Sequence, residues 1–419
     1  MRICWLTQFL PSACASGADI ASQNLIDALR DLGHEVVVYG YRQHLGQETG
    51  PDEVAVGDPR GEASSSGVLA KAGWFFDSLI TGQAMFSRKF HSRDYLRSLA
   101  ANSSKPFDLR IVDHFQLEWL WPKGPTPCIA VAHNVESAIF AQRAKRLGYC
   151  MRWLLARESR LLAGSERRIA RVARRLWVLT EDDAAVFAGL GARTDVLPIQ
   201  GEMIRAEAST YCDRNTDFRY DVGLLGLWTW EQNRTGLLWF LREVLPKLPA
   251  NWRIGIAGKG AVGLTRDPRV SILGFVPSAD RFLAECAVQA IPSIDGGGVQ
   301  IKTINAISSG RPLVVTQVAL RGIEGIPDWV QLARTVSEFV ESLVMTRGAV
   351  VEKNGMGNRQ SGIAWQERRR KELQRCLAQS LANSGFLGGP DVQECSSLAQ
   401  LKPNAMISSV RGGDESPCI

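Results

Sequence analysis

Short runs of consecutive apolar and β-branched residues recur along the whole chain. The first half contains "RICWLTQFLP", "HEVVVYGY", "FDLRIVDHF", "PCIAVAHNV" and "LWVL", and "TDVLPIQGE" closes it; the second contains "YDVGLLGLWTW", "NWRIGIAGKG", "RVSILGFVP", "VQAIPSI" and "PLVVT". Apart from "TDVLPIQGE", these are the strand runs, and each predicts a buried strand. Between them lie segments of helical period. Ala21, Leu25, Ala28, Leu29 and Leu32 fall on one face of a helix that Gly33 stops. "YCMRWLLARESRLLAGSERRIARVARR" reads as a long helix, "RTGLLWFLREVLPKL" as one ended by Pro246, "SADRFLAECA" as a short one, and "NRQSGIAWQERRRKELQRCLAQSL" as the last. Strands alternating with helices predict an α/β chain of parallel, doubly wound sheets. Residues 46–67, rich in Gly, Pro, Ser and acids, read as a long loop.

The pattern divides the chain into a first α/β domain over 1–198, a polar linker over 199–219 and a second α/β domain over 220–360. A final helix over 361–382 follows, and 383–419, with few apolar residues and no period, reads as a disordered tail. With 419 residues, two cores are expected rather than one.

The net charge of +6 is modest but unevenly spread. Between Arg143 and Arg175 stand eleven basic residues and two acids, Glu158 and Glu166, so that segment alone exceeds the charge of the whole chain. With Leu154, Leu155, Leu161, Leu162 and Ile169 interleaved, it reads as a solvated helix face or as a helix drawn to anionic lipid. It lacks the aromatics and motifs of a nucleic-acid binder. The start "MRICWLTQFL" is broken too soon for a signal peptide, and no segment reaches the roughly 20 apolar residues that span a bilayer. The expected place is the cytoplasm or the cytoplasmic face of the membrane. Nine scattered cysteines without C-x-x-C spacing fit reduced thiols. Five histidines without clustering, and the absence of any Asp-x-Asp, argue against a metal centre or metal cofactor.

Three loops in the second half follow predicted strands: "GLWTWEQNR", "AGKG" and "DGGGVQIK". Two are glycine-rich, and they carry Arg234, Lys259 and Lys302. Backbone N–H groups at a helix start, with cations nearby, suit a diphosphate. In the helix beginning near Val299, Ile301, Ile304 and Ile307 share an apolar side, while Lys302, Asn305 and Ser309 form a polar stripe. Gly296 to Gly298 read as a phosphate cradle or a tight turn, and Lys302 as a ligand or a solvated lysine. Asn233 reads as a site residue or as the cap of a helix beginning near Thr235, and Trp230 as core or as a base-stacking residue.

The ordered set "GLWTWEQNRTGLLWFLREVLP", "RIGIAGKG", "ILGFV", "AIPSIDGGGVQIKTINAISSGRPLVVT" and "ALRGIEG" resembles the donor-binding half of GT-B fold glycosyltransferases, family 4 (glycosyl transferases group 1) in particular. "SGADIASQNLIDALRDLGHEVVVYGY", "VAHNVES" and "LTEDDAAVF" extend the resemblance to residues 1–382. It implies two Rossmann-like domains facing across a cleft, with the final helix over 361–382 crossing back to the first domain. A nucleotide-sugar would lie on the second domain and a saccharide or lipid-linked acceptor on the first, with transfer that needs no cofactor or metal and retains the anomeric configuration. Carried onto this chain, it places Gly17, Trp230, Asn233, Arg234, Lys259, Gly297, Gly298, Val299, Gln300, Lys302 and Asn305 around the nucleotide-sugar, and His133 beside the transferred sugar. Family members usually have a glutamate at position 305, where it grips the ribose hydroxyls; here an asparagine stands. Glu136, Asp19, Asp113 and His114 are weaker candidates, Asp19 reading mainly as a first-turn acid favoured by the helix dipole. The alternatives are a nucleotide-sugar-binding pseudoenzyme or a nucleotide-sugar epimerase, the latter lacking an assignable pair of carboxylates.

Overall fold

A computed structural model describes residues 1–14, 16–57, 67–101, 105–122, 124, 126–145, 147–202, 218–352 and 359–386. The first sheet is built from β1 (Arg2–Phe9), β2 (Glu35–Tyr41), β3 (Glu53–Ala55), β4 (Leu109–Asp113), β5 (Cys128–Ala132), β6 (Arg175–Val178) and β7 (Thr194–Val196). Its order is β3-β2-β1-β4-β5-β6-β7, and every pairing is parallel. The helices around it are α1 (Gly17–Asp31), α2 (Val68–Thr81), α3 (Met85–Phe90), α4 (Arg93–Ala101), α5 (Glu136–Ala144), α6 (Tyr149–Val172) and α7 (Glu181–Gly189). The second sheet has β8 (Tyr220–Leu225), β9 (Ile254–Ala257), β10 (Val270–Gly274), β11 (Cys286–Ile291), β12 (Leu313–Thr316) and β13 (Val330–Ala333), in the order β10-β9-β8-β11-β12-β13, again all parallel. Its helices are α8 (Glu231–Trp239), α9 (Ala279–Ala284), α10 (Ile301–Ser308) and α11 (Val336–Glu352); α12 (Arg359–Asn383) ends the described chain.

Both sheets are the doubly wound α/β kind that the strand–helix alternation predicts. In each, the strand order reverses direction beside the first strand, so loops at the carboxyl edge part there and leave room for a ligand. Two expectations need revision. The loop over 46–67 contains the edge strand β3, three residues that the polar composition around it hid. Helix α8 starts at Glu231, and Asn233 therefore lies in its first turn instead of capping it. The predicted tail lies outside the described residues except for its first four positions, and most of the linker lies outside them as well.

The domains are joined by an apolar seam. Ile20 and Ala21 of α1, with Leu179 and Ile199, share one buried cluster with Ile291, Ile301, Ile304, Ile307, Leu320 and Trp365. The apolar side of α10 thus faces the first domain as well as its own sheet. Leu373, Leu377 and Leu381 of α12 pack into the core of the first domain beside Trp5, Leu25 and Ile111. Trp177 Nε1 donates to Ser380 Oγ at 2.8 Å, and Arg370 pairs with Asp31 at 2.7 Å, fixing α12 to β6 and α1.

Candidate active site

From the first domain the site takes the carboxyl ends of β4 and β5. Asp113 ends β4 and is fully buried; His133 follows β5 and is 6% exposed. His133 Nε2 lies 2.7 Å from Asp113 Oδ1, Ser22 Oγ donates to Asp113 Oδ2 at 2.5 Å, and Trp5 Nε1 reaches the same oxygen at 3.3 Å. Parallel strand register brings these groups together: Val112 pairs with both Leu6 and Ala130, so the two strand ends meet at one edge. His114 stacks on His133, ring centroids 4.3 Å apart at 19°, and holds a left-handed φ of 78°. For a residue with a Cβ this is a costly backbone, seen mainly where the surroundings impose it.

Burial would lower the pKa of His133, but the charge and hydrogen bond of Asp113 carry it above the ordinary histidine value. His114 is pushed down to about 4, by burial first. Asp113 is held below the usual carboxylate range in spite of its burial, by the two imidazoles and the Ser22 and His133 hydrogen bonds. With Nε2 given to Asp113, the other ring nitrogen of His133, Nδ1, is buried and has no partner among the described residues. Asp113, His114 and His133 offer ligand atoms within 4.8 Å of one another, a grouping that the spacing of the histidines along the chain does not show. The 2.7 Å contact pairs the carboxylate with His133 as a hydrogen bond.

From the second domain comes the glycine loop. Gly296 has φ 138° and Gly298 φ 64°. A Cβ on Gly298 would stand 2.2 Å from Asn134 Oδ1 and 2.9 Å from the His133 carbonyl. Here the loop passes against the β5–α5 turn with no room for a side chain. Gln142 Nε2 donates to Asp295 Oδ1 at 2.9 Å across the same boundary, and Arg321 Nη1 donates to the Gly296 carbonyl at 2.9 Å. Helix α10 starts at Ile301 with Gln300 as its N-cap; Val299 and Gln300 precede the helix. Its first hydrogen bonds run from the Thr303 and Ile304 N–H groups to the Gln300 carbonyl, so the amides of Gln300, Ile301 and Lys302 have no acceptor within the helix. Lys302 Nζ donates to Asn233 Oδ1 at 2.7 Å, and burial lowers its pKa to about 8. Gly17, at the start of α1, completes the edge: a Cβ there would lie 3.3 Å from Ile301 Cγ1.

The structure therefore brings together His133, Gly17, Gly297, Gly298, Lys302 and Asn233. Asn233 Nδ2 also donates to the Leu227 carbonyl at 3.0 Å, which fixes the amide as an acceptor for Lys302. Trp230 caps α8 and is half exposed, whereas Trp228 is the core tryptophan, its Nε1 bonded to the Ala257 carbonyl. Arg234 is exposed, and Lys259 is exposed over the Phe275 ring at 5.6 Å. Asp19 is half of a capping box with Ser16. Glu136 opens α5, where burial and the neighbouring Glu166 carboxylate raise its pKa to about 7.

Two members of the expected polar stripe are turned elsewhere. Ser309 Oγ accepts from Gln289 of β11 at 3.0 Å and donates to the Ala306 carbonyl, so it serves the sheet. Asn305 Oδ1 accepts the Glu202 N–H at 2.9 Å, so that oxygen is engaged by the segment between the domains. Ser22, Asn134, Gln142 and Arg321 are site neighbours that local pattern could not show, because each acts across a large sequence distance.

This geometry can be set beside known proteins. Residues 219–345 match the family model of glycosyl transferases group 1. That match spans most of the second domain. Among solved structures, a sucrose-phosphate synthase from Thermosynechococcus elongatus superposes with a TM-score of 0.59 at 14% identity, over 95% of this chain and 100% of the other. Anabaena HepE in complex with UDP gives 0.54 at 14% identity, over 91% and 100%. WaaG, a glycosyltransferase involved in lipopolysaccharide biosynthesis, gives 0.54 at 17% identity, over 92% and 100%. No curated protein sequence matches the chain. The two parallel sheets and these superpositions establish the GT-B fold. Among the described residues, no helix is long and apolar enough to cross a membrane.

Proposed function

We propose that this glycosyltransferase moves a sugar from a nucleotide-sugar donor to a saccharide or lipid-linked acceptor in surface polysaccharide or glycoconjugate synthesis, without an essential metal and with retention at the anomeric carbon. The observation that carries the reading is the start of α10. Amides with no acceptor within the helix and the half-buried Lys302 stand just after the glycine loop, which at Gly298 lies directly against the loop that bears His133. A diphosphate there would meet N–H dipoles and one cation, both of which stabilise charge growing on the leaving group. His133, held by Asp113 and Ser22, would place the sugar or polarise a hydroxyl. The retaining outcome rests on the group 1 resemblance alone.

The test is melting of the protein in the presence of UDP, GDP, ADP and their sugars. Binding to the folded state raises the melting temperature by mass action. A shift with one nucleotide at millimolar concentration, followed by donor hydrolysis or transfer, supports the reading. No shift with any of them sinks it. Binding without turnover on any acceptor favours the pseudoenzyme.

A lipid-linked acceptor would require a surface that meets lipid. Four of the apolar residues interleaved in the basic segment do not supply it: Leu162 and Ile169 are buried, and Leu155 and Leu161 pack on the cluster of Ala84, Phe140 and Leu162. Exposed apolar side chains in this region include Tyr149, Met151 and Trp153 at the start of α6 and Leu69, Phe76 and Ile80 on one face of α2. Arg157 ties the two helices by donating to Ser78 Oγ at 2.9 Å, and Lys145 and Arg152 flank the patch. We propose this face, instead of the whole of 143–175, as the contact with anionic lipid. Vesicles containing phosphatidylglycerol should bind the wild type and lose the Phe76→Ser/Trp153→Ser double variant. Equal binding by the two proteins would refute the assignment.

A further inference from the structure

We infer that Arg321 is a positioning residue for the glycine loop, and that it ties the working form of that loop to the contact between the two domains. This rests on the nucleotide-sugar reading and adds to it a residue that acts through the loop and not on the ligand. The run "ALRGIEG" follows β12 and carries Arg321 just beyond a short helical turn over Gln317–Leu320. The Arg321 guanidinium has two partners in different domains. Its Nη1 donates to the Gly296 carbonyl at 2.9 Å, and its Nε lies 3.3 Å from Asp182 Oδ2 in the first turn of α7. A planar guanidinium presents donors in fixed directions and so can hold both acceptors at once; the ammonium of a lysine is a single point charge on a flexible stem.

The loop needs such a hold because three consecutive glycines restrict their own backbone least of all residues. Gly296 at φ 138° and Gly298 at φ 64° are fixed by their surroundings: the Gly296 N–H donates to Asp295 Oδ1 at 2.8 Å, and its carbonyl accepts from Arg321. The base from which Arg321 reaches is itself rigid. Gly322, with φ 68°, is wedged between the domains: a Cβ there would stand 2.6 Å from Val299 Cγ2, 2.8 Å from Thr180 Cγ2 and 2.9 Å from the Leu179 carbonyl. Leu320 and Ile323 are buried in the seam, and Trp365 of α12 donates to the Gly325 carbonyl at 2.8 Å. The ion pair, by contrast, faces water, with the Arg321 side chain 40% and that of Asp182 73% exposed. A pair this exposed adds little to the stability of the fold. Its consequence is local: Asp182 orients the guanidinium, and the guanidinium sets the carbonyl that opens the loop. Parting of the domains removes Asp182 from Arg321 and leaves the loop without that guide.

The experiment measures the affinity of the full chain for UDP, GDP and ADP by calorimetry, and the melting temperature without ligand. Wild type, Arg321→Ala, Arg321→Lys, Asp182→Asn and the Arg321→Ala/Asp182→Asn double variant are compared. Arg321→Ala should weaken binding of the preferred nucleotide about tenfold, the scale of one hydrogen bond from a charged donor, with the melting temperature nearly unchanged. Arg321→Lys should recover less than half of that loss. Asp182→Asn should weaken binding about threefold, and the double variant should bind no more weakly than Arg321→Ala, since the two residues act as one unit. A direct contact of Arg321 with the diphosphate gives a different pattern: Asp182→Asn would then leave affinity unchanged or raise it, which overturns the positioning role. Losses that add in the double variant, or a fall in melting temperature with affinity unchanged, overturn it as well. Each of these leaves the nucleotide reading intact, whereas no binding of any nucleotide by the wild type overturns both.

Discussion

The two domains meet at one boundary but contribute different materials to it. The first offers side chains locked in a buried network: His133, Asp113, Ser22 and Trp5, each bonded to another. The second offers mainly backbone: glycines at φ values open to few other residues and amides with no acceptor within their helix, with Lys302 beside them. A preset imidazole suits positioning of one atom, which tolerates little error. Backbone dipoles suit a spread charge such as a diphosphate, and they need no side-chain ordering to act. On the proposed function, the first domain would govern where the sugar goes and the second whether the nucleotide leaves.

The comparison breaks most readily where the two materials touch. Gly298→Ala places a methyl into Asn134 Oδ1 and the His133 carbonyl and does so at a left-handed φ. The loop or the β5–α5 turn must move. Transfer should fall about 100-fold or more, as expected for a displacement near 1 Å at a reacting centre, with both kcat and KM affected. Activity within about threefold of wild type would show that this contact is not kept during turnover. Asp113→Asn tests the first domain alone. It removes the charge that raises the His133 pKa, so that pKa should fall below the ordinary histidine value, read by NMR titration. The rate should drop about 100-fold, the scale of one general acid–base group, with nucleotide affinity unchanged. A loss of nucleotide affinity instead would refute the division of labour.

The sequence reading was most accurate where chemistry is local. Strand runs, the helix stop at Gly33 and the amphipathic pattern of α10 follow from neighbours a few residues apart, and the structure contains all of them. The polar stripe was only half legible. Lys302 reaches another site residue, but Asn305 and Ser309 find their partners in Glu202 and Gln289, 103 and 20 residues away. The same limit explains the histidines. Scattered along the chain, His114 and His133 become stacked neighbours because β4 and β5 are adjacent and end together. Short β3 was invisible because three residues carry no measurable period.

Lys302 sharpens the second domain's side of the comparison. Its pKa in the folded, unliganded protein is about 8, below the ordinary lysine value. A diphosphate favours the protonated form, so affinity should be flat below about pH 7 and fall by up to about tenfold per pH unit above 8. Binding at pH 8.5 should be accompanied by proton uptake, seen as a buffer-dependent heat. The stability sign runs opposite. Between about 8 and 10.5 the unfolded chain holds the proton that the folded chain has lost, so the contribution of this group to stability rises with pH across that window. Lys302→Met should lower nucleotide affinity about tenfold at pH 7, remove the pH dependence, and leave the unliganded protein no less stable. A persistent pH dependence would assign the titration elsewhere.

The smallest effect should come from Asn305, where the two domains share a hydrogen bond instead of a ligand. Restoring the glutamate usual in group 1 relatives is the instructive change. Its longer side chain would carry a carboxylate into the space beside Gly201, where a Cβ would stand only 2.5 Å from the present Asn305 oxygen. Asn305→Glu should therefore lower the melting temperature by several degrees and fail to improve nucleotide binding. Asn305→Ala loses only one hydrogen bond, to a backbone N–H on a partly exposed segment, and should cost about 1 kcal/mol. The order matters more than either value: if Asn305→Glu binds nucleotide more tightly than wild type, position 305 faces the ligand after all. In that case the hold on Glu202 is incidental, and the boundary is set by the apolar seam alone.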